Sequence, residues 1–169
     1  MSSQASCIVF LSILATTCSA IAAAARTNCV ADEEIVFSCT AGKKTISLCA
    51  SPEQARNSYV EYRFSAHDGA TPFLYRADAT SSSRVFNRAT LLGASSASTV
   101  IWFENSGYVY EISDPVKGVR TVSAYKGGKQ IGVSSCTGDY LGDSNTPSPV
   151  IRQRTSEEYF EILDETSKL

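Results

Sequence analysis

The stretch Thr99-Val100-Ile101-Trp102-Phe103-Glu104 decides the fold of this chain. Its four middle residues are all apolar, so both faces of a strand formed here carry apolar side chains. A strand of this kind has to be covered on both sides, as central strands between two layers are. We therefore expect this stretch to be a central strand in the middle of the core.

Segments with apolar residues at every second position surround this stretch, which is the pattern of antiparallel strands. In one of them Val60, Tyr62 and Phe64 point to one side of the strand. Glu61 and Arg63 point to the other side, which predicts one dry face and one wet face. The predicted strands are Glu34–Cys39, Lys44–Ala50, Tyr59–Ser65, Pro72–Ala77, Arg84–Leu92, Thr99–Glu104, Tyr108–Ser113, Val119–Lys126 and Lys129–Cys136. We expect an all-β, mainly antiparallel fold, a small barrel or sandwich of about eight to nine strands.

Turn residues between these segments predict hairpins. Gly127 and Gly128 form a two-residue loop in which both positions tolerate positive φ. Residues Ala41–Lys43 and Asn105–Gly107 have similar hairpin-tip chemistry, and His67–Gly69 is a further turn. Most strands that follow one another in the chain are therefore expected to pair.

The first twenty-five residues have the pattern of a removable export leader. Residues Cys7 to Ala15 are apolar apart from Ser12, and small residues precede the expected cleavage site at Ala24 or Ala25. Nothing after the leader is long and apolar enough to cross a membrane. We predict a signal peptide at residues 1–25 and a periplasmic or secreted mature protein.

The mature chain, residues 26–169, has the length of one domain. All fifteen basic and seventeen acidic residues lie in it, giving a net charge of -2, and without a cationic stripe no nucleic-acid partner is expected. Residues 138–151 are rich in Gly, Asp, Ser and Pro and predict a surface loop. Thr155 and Glu158 have the spacing of a capping box, which predicts a short C-terminal helix at 155–166.

Four cysteines follow the leader: Cys29, Cys39, Cys49 and Cys136. An even number of cysteines in an exported chain predicts two disulfides. A hairpin around Gly42 places Cys39 opposite Ile46 and Cys49 opposite Val36, on opposite faces, so these two cysteines should not pair.

Two connectivities survive this argument. One joins Cys39 to Cys136 and Cys29 to Cys49, and the other joins Cys29 to Cys39 and Cys49 to Cys136. We favour the first, because it ties the first strand to the last and closes the longer loop, which gains most in the chain-entropy model.

Residues suited to catalysis or metal binding are sparse. Nucleophilic hydrolysis needs a base beside the nucleophile, and the one histidine, His67, lies in a predicted turn. Asp139, Asp143 and Asn145 lack the spacing of an EF-hand, and the cysteines lack a zinc-ligand spacing. We expect no enzyme, no metal and no cofactor.

Aromatic residues on the hairpins are candidates for recognition. Tyr108, Tyr110 and Tyr125 are of a type favoured at binding surfaces, because they bury a large area with few rotatable bonds. The competing interpretation is that aromatic residues at every second position pack across the strands of a core.

The order of several motifs resembles small bacterial envelope proteins of mostly unassigned function. These motifs are, in order, Phe37-Ser38-Cys39, Gly42-Lys43-Lys44-Thr45-Ile46, Ser106-Gly107-Tyr108-Val109-Tyr110 and the closing segment from Gly128-Lys129 to Cys136. The chain also resembles the periplasmic and membrane-bound inhibitors of C-type lysozyme. In those inhibitors a small antiparallel barrel displays an S-G-x-x-Y loop that enters the lysozyme cleft, and an early cysteine pairs with a late one.

Ser106, Gly107 and Tyr110 match that loop, and Cys39 and Cys136 match that bridge. The second signature of the inhibitors, a tryptophan followed by Lys-Gly after the loop, is absent.

This resemblance implies an exported bacterial protein-binding module. It would be a periplasmic inhibitor or an immunity protein whose partner is another protein, a cell-wall hydrolase such as lysozyme. The expected partner-binding residues are Ser106, Gly107, Tyr108 and Tyr110. The alternatives are a structural envelope protein, or a small envelope hydrolase that depends on His67.

Overall fold

Two β-sheets packed face to face form the domain. The computed structural model describes residues 26–52, 57–66 and 73–165. The strands are β1 Glu34–Ala41, β2 Lys44–Ala50, β3 Tyr59–Ala66, β4 Phe73–Asp78, β5 Phe86–Leu92, β6 Ala97–Asn105, β7 Tyr108–Pro115, β8 Thr121–Lys126, β9 Lys129–Ser135, β10 Tyr140–Leu141 and β11 Ile151–Gln153, and helix α1 spans Ser156–Glu165. All nine predicted strands are confirmed within two residues at each end. The predicted leader at 1–25 and the predicted turn at His67–Gly69 lie outside the described residues.

The two sheets have the strand orders β10-β1-β2-β3-β4 and β11-β5-β6-β7-β8-β9. Every pairing is antiparallel except that of β11 with β5, which is parallel. The sheets do not close into a barrel, so of the two expected architectures the sandwich is the observed one. Both faces of the second sheet are covered, one by the first sheet and one by α1.

Strand β6 is central, as the apolar stretch predicts. Ile101 and Phe103 point between the sheets, where their side chains are 1% exposed. Val100 and Trp102 point to the other face, where Trp102 packs edge-on against Tyr159 of α1 at 5.2 Å between ring centroids. The same strand therefore contributes to both hydrophobic clusters.

Phe103 lies at the centre of an aromatic cluster between the sheets. Its ring stacks on Tyr75 at 4.2 Å and on Tyr110 at 5.1 Å between centroids. Tyr62 lies 5.1 Å away and Phe86 packs edge-on at 5.2 Å. Aromatic pairs at these distances contribute about 0.5–1.5 kcal/mol each beyond the area they bury.

The capping box at the start of α1 is confirmed. Glu158 N donates to Thr155 Oγ1 at 3.2 Å, and Thr155 N donates to Glu158 Oε2 at 2.8 Å. Farther along the helix, the buried Tyr159 hydroxyl donates to the carboxylate of Glu111 on β7. The contacts of Tyr159 with Glu111 and with Trp102 hold α1 on the outer face of the second sheet.

The predicted loop at 138–151 contains a strand and the start of another, which is a correction. Strand β10 pairs with β1 through Ser38 and Leu141, and β11 pairs with β5 through Ile151 and Phe86. Both strands are too short to show an alternating pattern, so the Gly, Asp, Ser and Pro content of the segment predicts only a loop.

The predicted wet face of β3 is covered, which is a second correction. Side chains of Glu61 and Arg63 are only 14% and 16% exposed. The segment before β1 lies across them: both terminal nitrogens of Arg63 donate to Glu33 at 2.6 Å, and Nη1 also donates to Asn28 O at 2.8 Å. Burial alone would raise the pKa of Glu33, but hydrogen bonds from Arg63, Tyr59 and a backbone amide lower it. A fixed ion pair thus replaces solvent on this face.

The disulfides are Cys29–Cys49 and Cys39–Cys136, which is the favoured connectivity. Cys39 lies opposite Ile46, as predicted. Cys49 lies opposite Ile35 instead of Val36, because a bulge in β1 shifts the register by one residue. The conclusion from the register still holds, since Cys39 does not pair with Cys49 and each reaches a different partner.

Candidate functional site

The β6–β7 turn presents the predicted Ser-Gly pair at the tip of a tight hairpin. Asn105 pairs with Tyr108, so only Ser106 and Gly107 form the loop. Their φ values are 54° and 77°, the left-handed conformation that two-residue hairpin turns require. Both residues are exposed and sit between two long, fully paired strands, which fixes the direction of the tip.

Tyr108 begins β7 directly after this turn, and it carries a positive neighbour. It lies opposite Lys126 of β8. Lys126 Nζ lies 4.9 Å from the centroid of the Tyr108 ring and donates to its hydroxyl at 3.3 Å. The tip therefore has an aromatic ring and an ammonium group beside the exposed serine.

Tyr110 lies on the inner face of the second sheet and is half-buried. Its ring stacks on Phe73 at 5.0 Å and on Phe103 at 5.1 Å, and Tyr108 lies 6.3 Å away. Of the four predicted partner-binding residues, Ser106, Gly107 and Tyr108 are thus grouped at the tip, while Tyr110 packs below them. The packing interpretation holds for Tyr110, and recognition by the residues at the tip stays a prediction.

A cleft of about 440 Å³ opens between the sheets next to Tyr110. Ile46, Tyr62, Phe64 and Phe73 of the first sheet line one side of it. Phe73 stacks on Tyr110, which lies three positions after Gly107, so the cleft reaches the neighbourhood of the β6–β7 turn. We call the cleft together with the β6–β7 turn the tip end.

Small residues on the opposite sheet leave the space for the cleft. Ala124 of β8 pairs with Gly132 of β9, and both line the cleft together with Ser134. A Cβ atom added to Gly132 would meet nothing within 4 Å. Because these small side chains face the large aromatic side chains of the first sheet, the space between the two sheets is not filled here.

Hydrogen-bond donors line the cleft as well. Tyr62 is 2% exposed, and the pKa of its hydroxyl is raised mainly by burial and to a smaller extent by the nearby Tyr110. Burial likewise raises the pKa of Tyr110. Lys44 stands at the rim with its Nζ 5.3 Å from the centroid of the Phe64 ring. The tyrosines therefore remain neutral donors and the lysine supplies a positive charge.

The other end of β7 is held closed by a polar cluster. Asp114 Oδ1 lies 2.6 Å from Arg120 Nε, while Tyr140 and Ser144 donate to its Oδ2 at 2.9 and 2.7 Å. Tyr140 belongs to the first sheet and Asp114 to the second, so the cluster joins the sheets. The Cys39–Cys136 disulfide adds a covalent link between β1 and the end of β9.

The remaining candidates from the sequence lie elsewhere. His67 is outside the described residues. Among the parts of the chain that the structure describes, the one group of three metal-type side chains is Cys29, Glu33 and Cys49, and two of them form a disulfide and cannot act as thiolate ligands. No helix within the described ranges has the length and apolar character needed to cross a membrane.

Comparison with protein-family models, with curated proteins and with solved structures finds no match to this chain. Its function has to be argued from the tip end itself.

Sequence reasoning missed the cleft although it used several of its residues. The sequence predicts Phe64 on a dry face and Phe73 in a strand, but nothing in it indicates that the two sheets stay apart beside them. The one usable signal was Gly132, since a glycine inside a strand often marks a place where space is left for something else.

Proposed function

We propose that this chain is an exported bacterial protein-binding module that acts as an inhibitor or immunity protein against a cell-wall hydrolase such as lysozyme. The observation that carries the proposal is the exposed Ser106-Gly107 turn, held by two long central strands. A rigid tip loses little conformational entropy when it enters a partner, which favours tight binding.

The chemistry of the tip suits a partner with an acidic cleft. Glycoside hydrolases of this class work with two carboxyl groups on either side of the scissile bond. The Ser106 hydroxyl and the backbone amides of the turn can donate hydrogen bonds to these groups. Lys126, next to Tyr108, brings a positive charge to the same place, which favours approach to a negative cleft. Occupying the acid and the nucleophile stops hydrolysis and requires no catalytic group in the inhibitor.

An inhibition assay tests the proposal. The oxidised mature domain is titrated against a C-type lysozyme, and the inhibition constant is measured for the wild type, Ser106→Ala and Tyr108→Ala. Each substitution is expected to weaken inhibition by about tenfold, the usual effect of a central interface residue. A further variant, Tyr110→Phe, tests the hydroxyl of Tyr110. It removes the hydroxyl and keeps the ring stacked on Phe73, whereas Tyr110→Ala would remove the ring as well.

Ser95→Ala is the matched control. Ser95 is an exposed serine in the β5–β6 loop, at the other end of β6 from the tip. Its replacement should leave inhibition unchanged. The proposal fails if wild-type protein inhibits no hydrolase of the cell wall, or if Ser95→Ala and Ser106→Ala behave alike. Hydrolytic turnover by the domain itself, abolished by His67→Ala, would replace it with the enzyme alternative.

A further inference from the structure

We propose that the cleft at the tip end binds a small apolar carboxylate, a molecule with an acyl or aromatic body and one anionic head. This binding site is additional to the protein-binding turn and goes beyond the proposed function. It rests on the shape of the cleft, on its donors and on the charge at its rim.

The walls of the cleft select an apolar body. Phe64, Phe73 and Ile46 lie on one side, and Val122 and Ala124 lie on the other. A volume of about 440 Å³ falls within the range of small-molecule sites, which runs from about 300 to 1,000 Å³. Such sites are mostly apolar with a few polar groups that fix the orientation of the ligand, and this arrangement is present here.

The polar groups select an anion. Tyr62 is 2% exposed and lines the cleft, and within the described ranges neither its hydroxyl nor that of Tyr110 makes a hydrogen bond. The side chains of both tyrosines line the cleft, so their hydroxyls can donate hydrogen bonds to a ligand that carries acceptors. Lys44 adds an ammonium group at the rim, and none of the described lining residues is acidic. Two neutral donors and one cation complement a carboxylate, and the ammonium group of Lys44 repels a ligand cation.

Calorimetry with three matched ligands tests the charge of the ligand. Decanoate, decanol and decyltrimethylammonium share a ten-carbon chain and differ in the head group. Decanoate is expected to bind the oxidised mature domain with one molecule per chain, decanol more weakly, and the cation not at all. Equal affinity for the anion and the cation would overturn the proposal, because the selection for a carboxylate would then be absent.

Two substitutions locate the site. Gly132→Leu projects a side chain into the cleft from a position where an added Cβ meets nothing, so the fold tolerates it. It should weaken decanoate binding by at least about tenfold, since the body of the ligand loses its space. Lys44→Gln should weaken decanoate by about fivefold, the upper range for a partly exposed ion pair, and leave decanol unchanged. Lys43→Gln, in the adjacent turn and outside the cleft lining, is the control for Lys44→Gln.

The variants also separate this inference from the proposed function. Ser106 does not line the cleft, so Ser106→Ala should bind decanoate like the wild type even where it no longer inhibits a hydrolase. Decanoate binding that survives Gly132→Leu would place the ligand elsewhere and refute the cleft. A dimer in sedimentation that Gly132→Leu dissociates, with no heat from decanoate, would show that a second copy fills the cleft and that the proposal is wrong.

Discussion

The two disulfides should contribute unequally to stability, and replacing each pair by alanine tests this. One double variant is Cys39→Ala with Cys136→Ala, and the other is Cys29→Ala with Cys49→Ala. The pairs are well matched in packing, because Cys39 and Cys49 are each 0% exposed and their partners are each half-buried. The loss of buried sulfur should therefore nearly cancel between the two variants.

What differs is the length of the loop that each disulfide closes. The separation is 97 residues for Cys39–Cys136 and 20 residues for Cys29–Cys49. In the chain-entropy model these loops correspond to about 4.7 and about 3.3 kcal/mol of stabilisation. We expect the first double variant to be less stable than the second by about 1.4 kcal/mol.

Urea unfolding followed by the fluorescence of Trp102 measures the difference. A chain with one crosslink fewer exposes more surface when it unfolds, so the slope of the free energy of unfolding against urea concentration changes. The midpoints of the transitions therefore do not by themselves give the difference in stability. Free energies of unfolding extrapolated to water are the quantity to compare. If the variant without Cys29–Cys49 is equally or more strongly destabilised, then the longer link does not act mainly on the unfolded chain and the reasoning is wrong.

Three further predictions concern packing, a close backbone approach and pH. Phe103→Ala should lower the free energy of unfolding by about 3–5 kcal/mol, because Phe103 is 1% exposed and packs among four other rings. Phe160→Ala is the control, since Phe160 is 57% exposed and its loss should change the free energy of unfolding by less than about 0.5 kcal/mol. Similar losses for the two variants in urea unfolding would contradict the assignment of the core. Gly142 has a φ of 98°, and a Cβ atom added to it would lie 2.9 Å from a carbonyl oxygen of β1. Gly142→Ala should therefore lower the free energy of unfolding by at least about 1–3 kcal/mol, while Gly132→Ala should leave it unchanged. Equal melting temperatures for the two variants would refute the close approach. Burial raises the pKa of Glu111 despite hydrogen bonds from tyrosines, so its contribution to stability is present at low pH and lost as pH rises through the folded-state value. As the pH rises above about 4, the ordinary pKa of a glutamate, the stability of Glu111→Gln should therefore improve relative to the wild type. A constant difference between the two would show that burial does not penalise the charged form of this carboxyl.

The parts of the fold that sequence reasoning predicted are those with strong local signals. The alternation of Val60, Tyr62 and Phe64 predicted which face of β3 contributes to the core, and all three contact it. The apolar run at Val100–Phe103 predicted a strand covered on both sides. Thr155 and the glutamate three residues later predicted the start of α1, because a capping box is formed by residues close together in the chain.

The parts that it missed depend on residues far apart in the chain. The bulge in β1 moves Cys49 to a position opposite Ile35, and no residue in β1 signals an extra residue. Arg63 is covered because Glu33, thirty positions earlier, folds back onto it. The cleft arises from the facing of Gly132 and Phe73 across the two sheets. Pairings of this kind follow from tertiary structure, which local patterns do not encode.

The structure shows a sandwich held by two disulfides, and we propose that the chain is exported, loses its leader and presents the tip end to a partner. Intact-mass measurement of protein recovered from its native compartment, alkylated with and without prior reduction, tests this claim most directly. We predict a chain that begins at Ala25 or Arg26, with no alkylated cysteine before reduction and four after it. A chain that still carries Cys7 and Cys18, or that is alkylated without reduction, would contradict the account.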